Sequence, residues 1–333
     1  MVNQKSLSAK QALELADKAV ASGDKEKAQK YFEAVLAKYP DNEDAIEGFK
    51  RLNPNSLFRT DIDELKDLFK TGDFRAVEVK CKMYLERYPE VQELYSMLGS
   101  VLGLKGAHSE ALPHLKKAAE LTPLNANVQF NLGNAYKQNG ENELALKFFK
   151  KAIKLEPKHA PAYNNAGMIF MTDEKYDDAI ELFTKAANIM PNSVEVLTNA
   201  AGAYKAKGEY GIAIAHYHRA IAIDGRNPQT FLDLATCERL NENPDEARKI
   251  YEVVTTEDPE NAVAHINFGN FLQESGETED AISHFEKAIE LDPKNPAPTN
   301  NLGVIYRDDG QTEKAEEFFE LAREKFRQAR TLH

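Results

Sequence analysis

Proline returns in this chain at a fixed interval. Pro89, Pro123, Pro157, Pro191, Pro259 and Pro293 lie 34 residues apart, or twice that where Gly225 takes the intervening place. Glycine keeps the same interval in Gly99, Gly133, Gly167, Gly269 and Gly303. A third series runs through Ala111, Ala145, Ala179, Ala213, Ala247, Ala281 and Ala315, trailed four residues later by Leu115, Phe149, Phe183, Tyr217, Tyr251, Phe285 and Phe319. Three interleaved series with one period mark internal repeats. A repeat this short cannot bury its apolar face alone and must stack on its neighbours.

Positions within each repeat are counted here from Gln92, Ala126, Ala160, Val194, Pro228, Ala262 and Pro296. Glycine at position eight predicts a close crossing of two helices, where a side chain would hold them apart. Alanine at position twenty serves the same crossing from the second helix, and the aromatic at position twenty-four fills the space between them. A glycine at position fifteen (Gly106, Gly140, Gly208, Gly276, Gly310) ends the first helix. Proline at position thirty-two stops the second, because it has no N–H to donate. Each unit reads as helix, tight turn, helix, stop.

This pattern resembles the tetratricopeptide repeat family. The resemblance implies an all-α fold, a right-handed α-solenoid of about nine 34-residue helix-turn-helix units. The chain departs from the family in having no Trp; position four carries Tyr95, Tyr163, Phe231 and His265 among others. Residues 9–42 form a first unit through Leu15, Gly23, Ala28, Phe32 and Pro40. An additional helix over Glu43 to Leu52 follows, so 1–53 is expected to be one unit plus one helix. The cluster Asn53-Pro54-Asn55-Ser56 is a turn signal, which makes 54–57 a turn or hinge. Residues 58–333 are then eight contiguous units. In the first of these Leu65 replaces the close-contact glycine and Cys81 the aromatic.

The second helix should present positions twenty-one, twenty-eight and thirty to the following repeat. These are Leu146, Ile153 and Leu155 in one unit and Ile282, Ile289 and Leu291 in another, but Glu316, Arg323 and Lys325 in the last. Three apolar positions turn charged together, as expected of a charged C-terminal capping helix that ends the stack. Arg248, Thr255 and Glu257 show a milder version in mid-array and predict a softer junction near residue 260.

The sequence carries few marks of chemistry. Nucleophile-elbow, dinucleotide and phosphate-loop motifs are all missing from the sequence. His216 and His218 are two apart on a helix and point to different faces, which disfavours a metal pair. Cys81 and Cys237 occupy packing positions and are too few for a disulfide framework. The expectation is therefore a non-enzyme without cofactor or metal. Net charge is −12, which disfavours a nucleic-acid partner. No apolar run approaches the ~20 residues a membrane helix needs, and no signal-like segment opens the sequence, so no membrane partner and a cytoplasmic location are expected.

In this family the first helices line the inner surface. Position six there carries Asn131, Asn165, Asn199, Asp233, Asn267 and Asn301. Asn in a helix interior costs ~0.6 kcal/mol against Ala, so six such placements need a reason. An amide both donates and accepts, and can grip a peptide backbone without regard to sequence; the rival reading is a hydrogen bond between repeats. The row is similar to the asparagine ladder in the repeat arm of O-linked N-acetylglucosamine transferases. The N-terminal layout also resembles bacterial sulfotransferases that carry such repeats. Position twelve adds Lys137, Lys205, Arg239 and Arg307, which would favour acidic segments; the rival reading is ordinary cations at helix C-termini. Position five lacks the lysine of chaperone-tail binders. The function expected is a non-catalytic scaffold holding an extended polypeptide in its concave groove. The alternative is the substrate-recruiting arm of a glycosyltransferase or sulfotransferase whose catalytic part lies elsewhere. The sequence leaves the oligomeric state open.

Overall fold

The computed structural model describes residues 8–52 and 59–330. The turn expected at 54–57 lies outside the described residues. Those described form helices joined by short turns, with no strand among them. The chain divides into two compact units, one ending at Pro157 and one beginning at Lys158.

The first unit contains α1 (Ala9–Ala21), α2 (Lys25–Lys38), α3 (Glu43–Leu52), α4 (Arg59–Lys70), α5 (Phe74–Arg87), α6 (Gln92–Leu104), α7 (His108–Leu121), α8 (Ala126–Gln138) and α9 (Asn142–Leu155). The second contains α10 (Ala160–Thr172), α11 (Tyr176–Ile189), α12 (Val194–Lys207), α13 (Tyr210–Ile223), α14 (Pro228–Leu240), α15 (Pro244–Glu257), α16 (Ala262–Glu274), α17 (Thr278–Leu291), α18 (Pro296–Asp308) and α19 (Thr312–Arg330). α1 pairs with α2, and α3 packs on α2; from α4 onward the helices of each unit pair in chain order as hairpins, and each hairpin packs on the next within its unit. This is an α-solenoid.

Local chemistry sets the helix ends. Asn125, Ser193 and Asn261 cap α8, α12 and α16, each accepting from the backbone N–H three residues on. At position fifteen the chain turns with positive φ, 80° at Gly140 and Gly276, the left-handed conformation that glycine adopts without cost. Glu174 and Glu242 hold the same place with φ of 58° and 63°.

The crossing within each hairpin is as tight as the glycine series predicts. A Cβ on Gly167 would lie 2.7 Å from the Phe183 ring, and one on Gly269 the same distance from Phe285. Phe149, Phe183 and Phe285 are fully buried at these crossings. Leu65 and Cys81 are also fully buried, on the packed pair α4 and α5. There the volume has moved from the second helix to the first. The additional helix α3 packs on α2 through Ala45, Phe49 and Leu52, and Gly48 lies directly against the Phe32 ring. It covers α2 as a following first helix would.

At the other end Glu316 and Arg323 are exposed, while Lys325 Nζ donates to Thr299 Oγ1 at 2.9 Å. Internally, Ile282 and Ile289 are instead packed into the core that contains Leu302 and Ile305 of α18.

Candidate functional site

A first helix turns about half its surface inward. In α16 the buried residues are Ala264, His265, Phe268, Gly269, Phe271 and Leu272. The helical period then places positions two, six, nine, twelve and thirteen on the side left open. The position-six row lies on that side, and each of its members is half-buried.

In the second unit most of the row is bonded to the preceding first helix. Asn199 Nδ2 donates to Asn164 Oδ1 at 2.9 Å, and Asn164 Nδ2 donates to Glu195 Oε1 at 2.9 Å. Asn165 Oδ1 accepts from Asn164 at 3.4 Å. Asn301 Nδ2 donates to Asn270 Oδ1 at 2.7 Å. Asp233 accepts from Gln229 at 3.3 Å and forms an ion pair with Lys205. The Asn267 side chain makes no hydrogen bond, and neither does that of Asn131 in the first unit. Each bonded amide keeps spare capacity, since Asn has two donors and two acceptor lone pairs.

The cations of position twelve do not form a free positive rail in the second unit. Lys205 pairs with Asp233, Arg239 with Glu274 at 2.6 Å, and Arg307 with Asp308 at 2.8 Å. In the first unit Lys137 is half-buried and unpaired.

Sequence reasoning passed over a depression of about 570 Å³ on the open side of α10, α12 and α14. Met168 and Met171 give it an apolar wall, and Thr198, Asn199, Gln229 and the Lys205–Asp233 pair a polar one. Gly202 opens it: a Cβ there would meet nothing within 4 Å, so helix packing does not require this glycine. The signal was available, because Gly202 stands at position nine, on the same face as the asparagines. Asn131 borders a smaller depression of about 290 Å³ in the first unit, beside Phe69, Ser100, Asn134 and Gln138.

The remaining candidates for chemistry are packing groups. Burial pushes the Cys81 thiol up to about 12 and the Cys237 thiol to about 11, far from a reactive thiolate. Burial lowers the His216 imidazole, and the ring stacks on Tyr204 with centroids 5.5 Å apart. No cluster of three His, Cys, Asp or Glu suited to a metal occurs among the described residues. No helix among them is long and apolar enough to cross a membrane.

Stacked helical hairpins with a polar, half-buried row along the open side of their first helices define a helical repeat protein. Models of the tetratricopeptide repeat match residues 13–46, 126–159, 160–193, 206–267 and 272–333, and a TPR repeat model matches 99–140. The chain belongs to the tetratricopeptide repeat family. No curated protein matches it significantly. Among solved structures it is similar to the APC/C hetero-tetramer Cut9–Hcn1, at 16% identity and a TM-score of 0.59, over 84% of this chain and 52% of that one. It thus spans about half the length of that relative. It is also similar to PilF of Pseudomonas aeruginosa, at 20% identity and a TM-score of 0.53, covering 61% of this chain and 92% of that one. The human IFIT1 dimer solved with m7Gppp-AAAA aligns at 18% identity and a TM-score of 0.52, over 96% and 90% of the two chains. At these identities the likeness is one of fold.

Proposed function

We propose that the chain is a non-catalytic scaffold that holds an extended polypeptide against the open side of the first helices of the second unit. The observation that carries this reading is the row at position six: half-buried amides on the uncovered side, with spare bonding capacity, and with Asn267 uncommitted. A backbone laid along such a row finds donors and acceptors at regular intervals. The depression opened by Gly202 would take one side chain, and methionine walls adapt to varied shapes. A protein ligand is favoured over nucleic acid because the net charge is −12 and the cations of this face in the second unit are already paired with carboxylates.

The test uses fluorescence anisotropy with a panel of labelled, unrelated extended peptides. Asn267→Ala removes an amide that bonds to nothing in the free protein, so its melting temperature should hold. Affinity should fall by about 0.5–1.5 kcal/mol, the worth of one net hydrogen bond, and by similar amounts across peptides that bind. If affinity is unchanged, or falls only together with melting temperature, the row is structural and the reading fails.

A further inference from the structure

The last helix is longer than its position in the repeat requires. Second helices α11, α13, α15 and α17 each have 14 residues, whereas α19 has 19. Its later turns carry Phe326, which is 56% exposed. Beside Phe326 lies a groove of about 550 Å³, formed by Pro296, Ala297 and Asn300 of α18 with Phe319 and Ala322 of α19. Among the described residues it stays uncovered, an apolar floor edged by Asn301 and by the charges of α19.

Those charges are ordered. Glu316, Glu320, Arg323 and Arg327 follow one another at intervals of four, three and four, so they form one stripe next to Phe319 and Phe326. Reversing the helix about the midpoint between Leu321 and Ala322 exchanges Glu316 with Arg327 and Glu320 with Arg323. A second α19 laid antiparallel thus sets each carboxylate against a guanidinium, and a parallel one sets like against like. The helix dipole also favours acid first and base last, but it acts on the terminal turns. It does not account for Glu320 and Arg323 in mid-helix, or for an exposed phenylalanine over a groove. Within the chain, Arg323 pairs with Glu316 and Glu320, with all three side chains at least half exposed, and Arg327 has no partner. Exposed pairs of this kind hold little energy and can be exchanged for intermolecular ones.

We propose that a second copy of this chain docks on this end. The two α19 helices would lie antiparallel about a two-fold axis, with Phe326 of each copy over the groove of the other. Such a contact is isologous and closes at two copies. A single helix pair and groove make a small interface, so dissociation constants on the order of 1–100 µM are expected.

The test is sedimentation of the full chain from about 1 to about 200 µM, a range that brackets those constants. The parent should pass from monomer to dimer, and added salt should favour the monomer. The pair Glu316→Lys with Glu320→Lys makes the stripe wholly basic, and Arg323→Glu with Arg327→Glu makes it wholly acidic. Each variant alone should dimerise at least about tenfold more weakly, because like charges then face each other. An equimolar mixture of the two should recover a heterodimer near parent affinity, which a misfolded variant could not do. Phe326→Ala should also weaken the dimer, with helical content unchanged by circular dichroism. A parent that stays monomeric throughout, a charge variant that dimerises like the parent, a mixture that does not recover, or growth beyond two copies would each overturn the proposal.

Discussion

Glu242 occupies a turn position that its neighbours give to glycine. Its φ is 63°, while Gly208 and Gly276 at the same place have φ of 83° and 80°. A residue with a Cβ pays about 1–2 kcal/mol for the left-handed region. The Glu242 side chain makes no hydrogen bond or ion pair in return. Glu242→Gly should relieve that strain, less the roughly 0.4–1 kcal/mol by which glycine loosens the unfolded chain. The net gain is about 0.5–1 kcal/mol, or about 1–4 °C in melting temperature for a unit of this size. Gly276→Ala is the reciprocal change. A Cβ there meets nothing within 4 Å, so the change is backbone strain less the unfolded-chain gain, a net loss of about 0.5–1 kcal/mol. Both are read from urea midpoints with m-values compared, since a changed m-value would signal lost cooperativity rather than lost stability. If Glu242→Gly lowers the midpoint, or Gly276→Ala leaves it unmoved, then left-handed strain does not set the cost of these turns.

Two further outcomes follow from the second unit. The packing of α15 on α16 is the sparsest between successive hairpins there, and Arg248 spans it by pairing with Glu277 and lying 5.3 Å over the Phe271 ring; amide hydrogen exchange should be faster in α15 and α16 than in α11 to α13, and equal protection would refute a soft junction. His265 Nδ1 lies 2.8 Å from His284 Nδ1, with His265 Nε2 3.1 Å from the Pro259 carbonyl. His265 therefore donates from Nε2 to the carbonyl and accepts at Nδ1 from His284. Burial, then the neighbouring His265, hold the His284 imidazole below its usual value, against a smaller opposing pull from Asp280. This contribution to stability is complete above the unfolded histidine value of ~6.5 and is lost as pH falls below it. The melting temperature should drop between about pH 7 and pH 5 more steeply in the parent than in His284→Phe, and parallel slopes would refute the assignment.

The hairpins were legible because packing imposes a period. Gly167 must be small where Phe183 crosses it, and the same constraint recurs at Gly269 and Phe285. Leu65 and Cys81 each depart from the pattern, and both are fully buried; a volume exchanged between two helices is visible only when both positions are read together. The pairing of the position-twelve cations was missed for another reason. Lys205 finds Asp233 and Arg239 finds Glu274, and each partner stands on the following first helix, close to one repeat length away. Reading charge along a single helix finds neither carboxylate. The hydrophobic seat beside Phe326 was hidden in the same way, since Glu316, Arg323 and Lys325 drew the reading toward a wholly polar end.

The asparagine row shows how far periodicity reaches and where it stops. Low helix propensity at position six suggests a compensating partner without giving its identity. Asn199 and Asn301 find it in the preceding first helix, because Asn164 at position five and Asn270 at position nine offer amide oxygens. Asn267 has no such neighbour. The preceding helix presents Leu232 at position five, which cannot accept, and Thr236 at position nine. The Thr236 hydroxyl is turned inward, donating to the Leu232 carbonyl at 2.8 Å and lying 3.3 Å from Tyr251 Oη. Asn267 is therefore left unbonded by the chemistry of its neighbours, and not by its own place in the repeat. A half-buried amide gives up some of its water without regaining a hydrogen bond, which costs free energy. An extended backbone passing along this face would return that bond, so within the second unit Asn267 is the member of the row at which a structural role and a binding role separate.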